Sequence, residues 1–115
     1  MTTPFLVCAS VTVISALVSL GFSIAAVSAE TGRAGTMALY ACAPSAALAI
    51  FSFVPFLTGS RGWLLAMAAC MIVVQAGDAG VGTTIKDRIK TYGPAATAFL
   101  NLLAAQWFLH SVGAA

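Results

Sequence analysis

The chain has 115 residues, 61% of them hydrophobic and only 7% charged, with a formal net charge of +2. Soluble domains carry about 25% charged residues, so this composition excludes an ordinary water-soluble domain, and the weak positive balance gives no reason to expect nucleic acid as a partner. Charge-free runs of about 20 apolar residues cross a bilayer as helices, so the expected class is all-α: an antiparallel four-helix transmembrane bundle forming one integral membrane domain over residues 1–115.

The first helix is expected over residues 4–29. Pro4 suits a first helical turn. Ser15, Ser19 and Ser23 recur every four residues and form a small polar stripe of the kind that lets helices approach closely in lipid. Val27-Ser28-Ala29 resembles a signal-peptide cleavage site, but no basic n-region precedes it and the apolar stretch exceeds the usual h-region of about 7–15 residues, so the segment reads as a retained span. A polar turn follows at Glu30–Gly35.

The second helix is expected over 36–58. It contains Pro44 and Pro55, and a bend is expected at Pro44, which lies well inside. After the turn Gly59-Ser60-Arg61-Gly62, a third helix is expected over 63–85, opening on Trp63 at the level of an interfacial aromatic belt. Ala76 and Gly80 within it make a small-xxx-small pair that signals close helix packing. The segment Lys86–Gly93 is the most polar and reads as a loop. The fourth helix is then expected over 94–112, starting on Pro94 and carrying Asn101, Gln106 and His110.

Loop charge sets the orientation. Four spans place both termini on one side, and the loops after the first and third helices on the other. Those loops hold Arg33, Lys86, Arg88 and Lys90, against Arg61 on the side of the termini. The positive-inside rule puts both termini outside and the basic loop 86–90 in the cytoplasm. Cys8, Cys42 and Cys70 sit singly inside apolar runs without CxxC spacing, and His110 is the only histidine. Neither a metal site nor a cofactor is therefore expected.

Asp78 stands out. It follows the charge-free run Gly62–Gly77 and precedes Lys86 by eight residues. An acid at the centre of a membrane helix costs about 2.5–3.5 kcal/mol on insertion scales, so something must offset it. Gln75, three residues earlier, shares its helix face. If the chain turns over residues 86–93, Asn101 lies as far beyond the turn as Asp78 lies before it, about 12 Å from the helix ends at 1.5 Å per residue. The same counting brings Gln75 within about a turn of Gln106 and puts Ser23 at similar depth, with Tyr40 slightly nearer the cytoplasm.

Cross-helix hydrogen bonds Asp78–Asn101 and Gln75–Gln106 are therefore expected, with no basic residue at that depth. Two readings of this polar layer stay open. It is helix glue, or it is a ligand or proton site built from Asp78, Gln75, Asn101, Tyr40, Ser23 and Gln106. A buried acid without a cation disfavours its charged form, so carrying a proton is chemically available to it.

The run Gln75-Ala76-Gly77-Asp78-Ala79-Gly80-Val81-Gly82, followed by Lys86-Asp87, Lys90–Ala95 and Asn101, resembles the second half of small four-helix bacterial integral membrane proteins of unknown function. The resemblance implies a multi-pass protein of the bacterial cytoplasmic membrane and lends no activity. The leading expectation is a small membrane protein that binds or translocates a small ligand or proton around Asp78. Four short helices enclose little volume, so a wider pathway calls for a homodimer. The alternatives are a membrane-embedded isomerase, cyclase or hydrolase acting on a lipophilic substrate with Asp78 as acid/base, and an accessory subunit of a membrane complex.

Overall fold

The computed structural model describes residues 2–113. Four long helices and one short one account for nearly all of them: α1 (Thr3–Ala29), α2 (Gly32–Phe51), α3 (Val54–Thr58), α4 (Arg61–Thr84) and α5 (Arg88–Gly113). The ends follow local chemistry. The Thr2 hydroxyl accepts from the Phe5 N–H at 3.4 Å and caps α1, while the Ser60 hydroxyl accepts from the Trp63 N–H at 3.2 Å and caps α4. Such caps satisfy backbone donors that have no partner within the helix.

The expected second helix is continuous through Pro44 and breaks elsewhere. Ser52 and Phe53 form a turn between α2 and α3. Pro55 explains its place: it lacks an N–H, and its ring crowds the carbonyl four residues back, which belongs to Phe51, the last residue of α2. Gly59, at φ 66°, closes α3 in the left-handed conformation, its N–H reaching the Pro55 carbonyl at 2.8 Å.

The turn between α4 and α5 is much shorter than the expected loop 86–93. It comprises Ile85, Lys86 and Asp87, with Lys86 at φ 57°. The Asp87 carboxylate accepts from the Lys90 N–H at 3.1 Å, and the Asp87 carbonyl accepts from the Thr91 N–H at 3.0 Å. Asp87 is thus the cap of a helix that begins at Arg88, six residues before Pro94. Pro94 becomes an interior residue, and the Lys90 carbonyl four residues before it loses its helical donor.

The freed Lys90 carbonyl lies against α4 at Gly82. A Cβ built on Gly82 would stand 2.5 Å from that oxygen and 2.7 Å from the Thr91 nitrogen, so only glycine admits this approach. At Gly80 a Cβ would meet nothing within 4 Å, and Ala76 is exposed. The close contact expected at Ala76 and Gly80 falls instead on Gly82.

α1, α4 and α5 pack on one another. α2 lies along α1 and touches α4 only slightly, burying little beyond Ala38, Ser45 and Ala49. The result is a slab of 53 × 26 × 15 Å: three helices around a core, with α2 flanking α1. At one end of the slab Phe5, Cys8, Leu64, Ala68, Ala105 and Phe108 interlock in an apolar cluster, with the Phe5 and Phe108 rings edge-to-face at 5.6 Å. The other end is the Gly82–Lys90 contact.

Where the sequence suggests four spans, three stretches are long and apolar enough to cross a membrane among the described residues: Thr3–Ala29, Gly32–Thr58 and Arg61–Thr84. α5 is long enough, but Arg88, Lys90, Asn101, Gln106 and His110 dilute its apolar residues.

Candidate functional site

The short turn sets the register of α4 against α5. With the chain reversing at residues 85–87, Gly82 meets Lys90, and Asp78, one turn further along α4, comes level with Pro94 rather than with Asn101. The seven-residue difference between Pro94 and Asn101 corresponds to about 10 Å along the helix. Asp78 and Pro94 accordingly line one cleft of about 220 Å³.

This cleft opens between α1, α2, α4 and α5. α1 contributes Ser19, Phe22, Ser23 and Ala26. α2 gives Ala38 and Ala41, Val81 and Gly82 come from α4 beside Asp78, and Ile85 comes from the turn after it. Lys90 of α5 completes the wall. Space exists here because the facing residues are alanine, glycine and serine, and because the bulky Phe22 is itself exposed. The cleft is apolar apart from Ser19, Ser23, Asp78 and Lys90. Asp78 is exposed on the chain, so its carboxylate is free to meet something that enters. Lys90 lies at the level of Gly82, one turn nearer the α4–α5 turn than Asp78.

Deeper in the slab, a different set of polar groups is closed off. Thr12 and Asn101 are 0% exposed, and Ser15 and Gln75 are 1% exposed. The Thr12 hydroxyl donates to the Cys8 carbonyl at 2.8 Å and lies 3.1 Å from Asn101 Oδ1. Gln75 Nε2 donates to the Ser15 carbonyl at 2.8 Å. These bonds tie α1 to α5 and to α4. Two atoms of the set have no partner: Ser15 Oγ and Asn101 Nδ2. A hydroxyl has one hydrogen to give, so Thr12 cannot serve both Cys8 and Asn101 fully. If the Asn101 amide is turned over, its NH₂ donates to Thr12 and its oxygen is left open instead. In either orientation Asn101 keeps one unsatisfied polar atom.

The six residues expected to form one layer therefore divide. Asp78 and Ser23 line the cleft, and Ser23 also lies 3.1 Å from Ser45 of α2, hydroxyl to hydroxyl. Gln75 and Asn101 are buried, but each is bonded to α1: the expected Asp78–Asn101 and Gln75–Gln106 pairs do not form, because α5 starts two turns earlier than the polar loop suggested. Gln106 is exposed, and Tyr40 is 74% exposed on α2, away from the cleft lining. The sequence reading passed over Lys90, assigned to a loop, and Thr12, a lone hydroxyl in an apolar run. The signal for Lys90 was Asp87, a capping residue standing directly before it. Among the described residues no three metal-ligating side chains gather, and Cys8, Cys42 and Cys70 are free thiols.

No protein-family model matches the chain, and neither a curated protein nor a solved structure does.

Proposed function

We propose that this chain is an integral membrane protein, an antiparallel bundle of four spanning helices, that binds a small ligand or proton in the cleft beside Asp78. Three of its helices have the length and apolarity to span. α5 completes the bundle by turning Asn101 inward, where Thr12 meets it. Arg33, Lys86, Arg88 and Lys90 gather toward the cleft end and Arg61 lies at the other. That bias supports a cytoplasmic cleft end with both termini outside.

The observation that carries the functional reading is the position of Asp78 on the wall of a cleft, not in a helix–helix contact. Glue residues are placed as Gln75 and Asn101 are, sealed between helices and bonded across them. Asp78 instead pairs an expensive group with accessible space, and an intramembrane acid facing a cavity is a mark of substrate or proton handling. Phe22, Val81 and Ile85 suit the hydrocarbon part of a ligand, while Asp78 takes a proton or a cationic group.

The test is proton flux into liposomes containing the purified protein, read by an entrapped pH-sensitive dye. A pH-dependent flux that vanishes in Asp78→Asn is the expected result. Equal flux from the variant and the parent would sink the role of Asp78.

A further inference from the structure

The cleft is larger than a proton requires. A space that holds one water takes about 10–15 Å³, and the cleft offers about 220 Å³. Asp78 lies six residues before the end of α4, about 9 Å along the helix from it. In a bilayer that depth falls below the headgroups. Phe22, Val81 and Ile85 line the cleft and are each at least 40% exposed. The cleft is therefore open along the face of the slab, where a membrane protein meets acyl chains.

Its polar groups mostly accept hydrogen bonds. The Ser23 hydroxyl donates to the Ser19 carbonyl at 3.1 Å. A hydroxyl has one hydrogen to give, so in the contact between Ser23 and Ser45 it is Ser45 that donates. Ser23 keeps only a lone pair for anything that enters. An ionised Asp78 carboxylate accepts and never donates. The Lys90 carbonyl, against Gly82 on the same wall, has lost its helical donor to Pro94. Only the Ser19 hydroxyl serves either role. An occupant that fits this wall brings N–H donors, a positive charge and an apolar body.

We propose that the cleft takes a protonated primary or secondary amine with a short hydrocarbon group, entering sideways from the bilayer. The proposal rests on the membrane-spanning reading above and names the ligand of the Asp78 cleft. The ammonium N–H groups donate to the Asp78 carboxylate and to the free lone pair of Ser23. The hydrocarbon lies on Val81, Ile85 and Phe22, whose ring face also attracts a cation. Asp78 holds either a proton or the ammonium. When a charged amine replaces the proton, the carboxyl O–H bond breaks, its electron pair stays on the carboxylate and the proton leaves to water at the cleft end. The charged groups of the wall are Asp78 from α4 and Lys90 from α5, while α1 and α2 give it only serine, alanine and phenylalanine. Lys90 is exposed and one turn nearer the helix ends, and a lysine so placed holds its ammonium in the headgroup layer. Amine affinity therefore rises with pH as Asp78 gives up its proton.

Calorimetric titration of hexylammonium into the purified protein in detergent tests this. One saturable site per chain is expected, weakened at least tenfold by Asp78→Asn. Ala41→Phe, which fills the cleft and keeps the acid, should weaken it as much. Hexyltrimethylammonium, with the same charge and no N–H, should bind at least tenfold more weakly than hexylammonium, and hexanoate should not bind. The absence of a saturable site overturns the proposal. So does equal binding to Asp78→Asn, or hexyltrimethylammonium bound as tightly as hexylammonium. If Asp78→Asn does not fold, Ala41→Phe and the hexyltrimethylammonium comparison decide: a tenfold loss in both supports the amine site, and undiminished binding in either overturns it. Absent amine binding beside a proton flux that still needs Asp78 overturns the amine and keeps the proton reading. Amine binding that needs Asp78, in a protein without proton flux, supports the amine and removes the proton.

Discussion

The two ends of this molecule are built on opposite rules. At the apolar end, large side chains from three helices fill the space between backbones: Phe5, Leu64 and Phe108 are each at most 4% exposed. At the cleft end the backbones of α4 and α5 touch directly at Gly82 and Lys90, while the α1 and α2 faces opposite present alanine and serine and leave a gap. The first end is held by side-chain volume and the second by its absence. A fold needs no site where side chains interlock, and where they are withheld it acquires both a close helix contact and a cavity.

Substitutions that exchange the two rules should break the contrast, and unfolding of the purified protein in detergent measures each. The largest effect is expected at Leu64, which is fully buried. Leu64→Ala should lose about 2–5 kcal/mol, the range for large-to-small changes in a core. Gly82→Ala comes next. Its Cβ meets backbone atoms that cannot swing aside, so about 1–3 kcal/mol is expected from overpacking. Gly80→Ala, two residues away in open space, should be neutral or gain up to about 1 kcal/mol of helix propensity. Equal losses at positions 80 and 82 would refute the close contact.

Thr12→Val keeps the shape but removes the Asn101 contact. It should cost about 1 kcal/mol, within the modest range of buried interhelical hydrogen bonds. Smallest in stability is Asp78→Asn. Asp78 is exposed on the chain and tied into no helix contact, so a change within about 0.5 kcal/mol is expected. Its effect belongs to flux alone, and a large stability loss would return Asp78 to the class of structural glue.

The helical architecture was legible because hydropathy reports it directly: uncharged runs can do little else. The polar layer was misread for one local reason. The run Lys86–Gly93 is hydrophilic, and hydrophilic segments suggest loops, yet Asp87 followed by Arg88, Ile89 and Lys90 is a capped helix start. Treating Pro94 as a beginning moved α5 by about two turns, and every inferred partner moved with it. Pro44 and Pro55 teach a similar lesson. Both remove a donor, but α2 absorbs the first and ends four residues before the second. That choice depends on neighbours and on the nearby Gly59 turn, which no spacing rule contains. Gln75 and Asn101 were recognisable as interior groups, but their partners are on α1, which the geometry of a single hairpin cannot reveal.

The flanking position of α2 separates two kinds of change. Ala38 and Ala41 form a wall of the cleft, and their helix packs on α1 while scarcely touching α4 and α5. Ala41 on that wall is exposed and can be enlarged or made polar with little penalty to the fold, whereas Ala38 is buried and cannot. A chain arranged in this way can acquire a new ligand preference by drift on one helix, while selection for a folded protein acts on the other three.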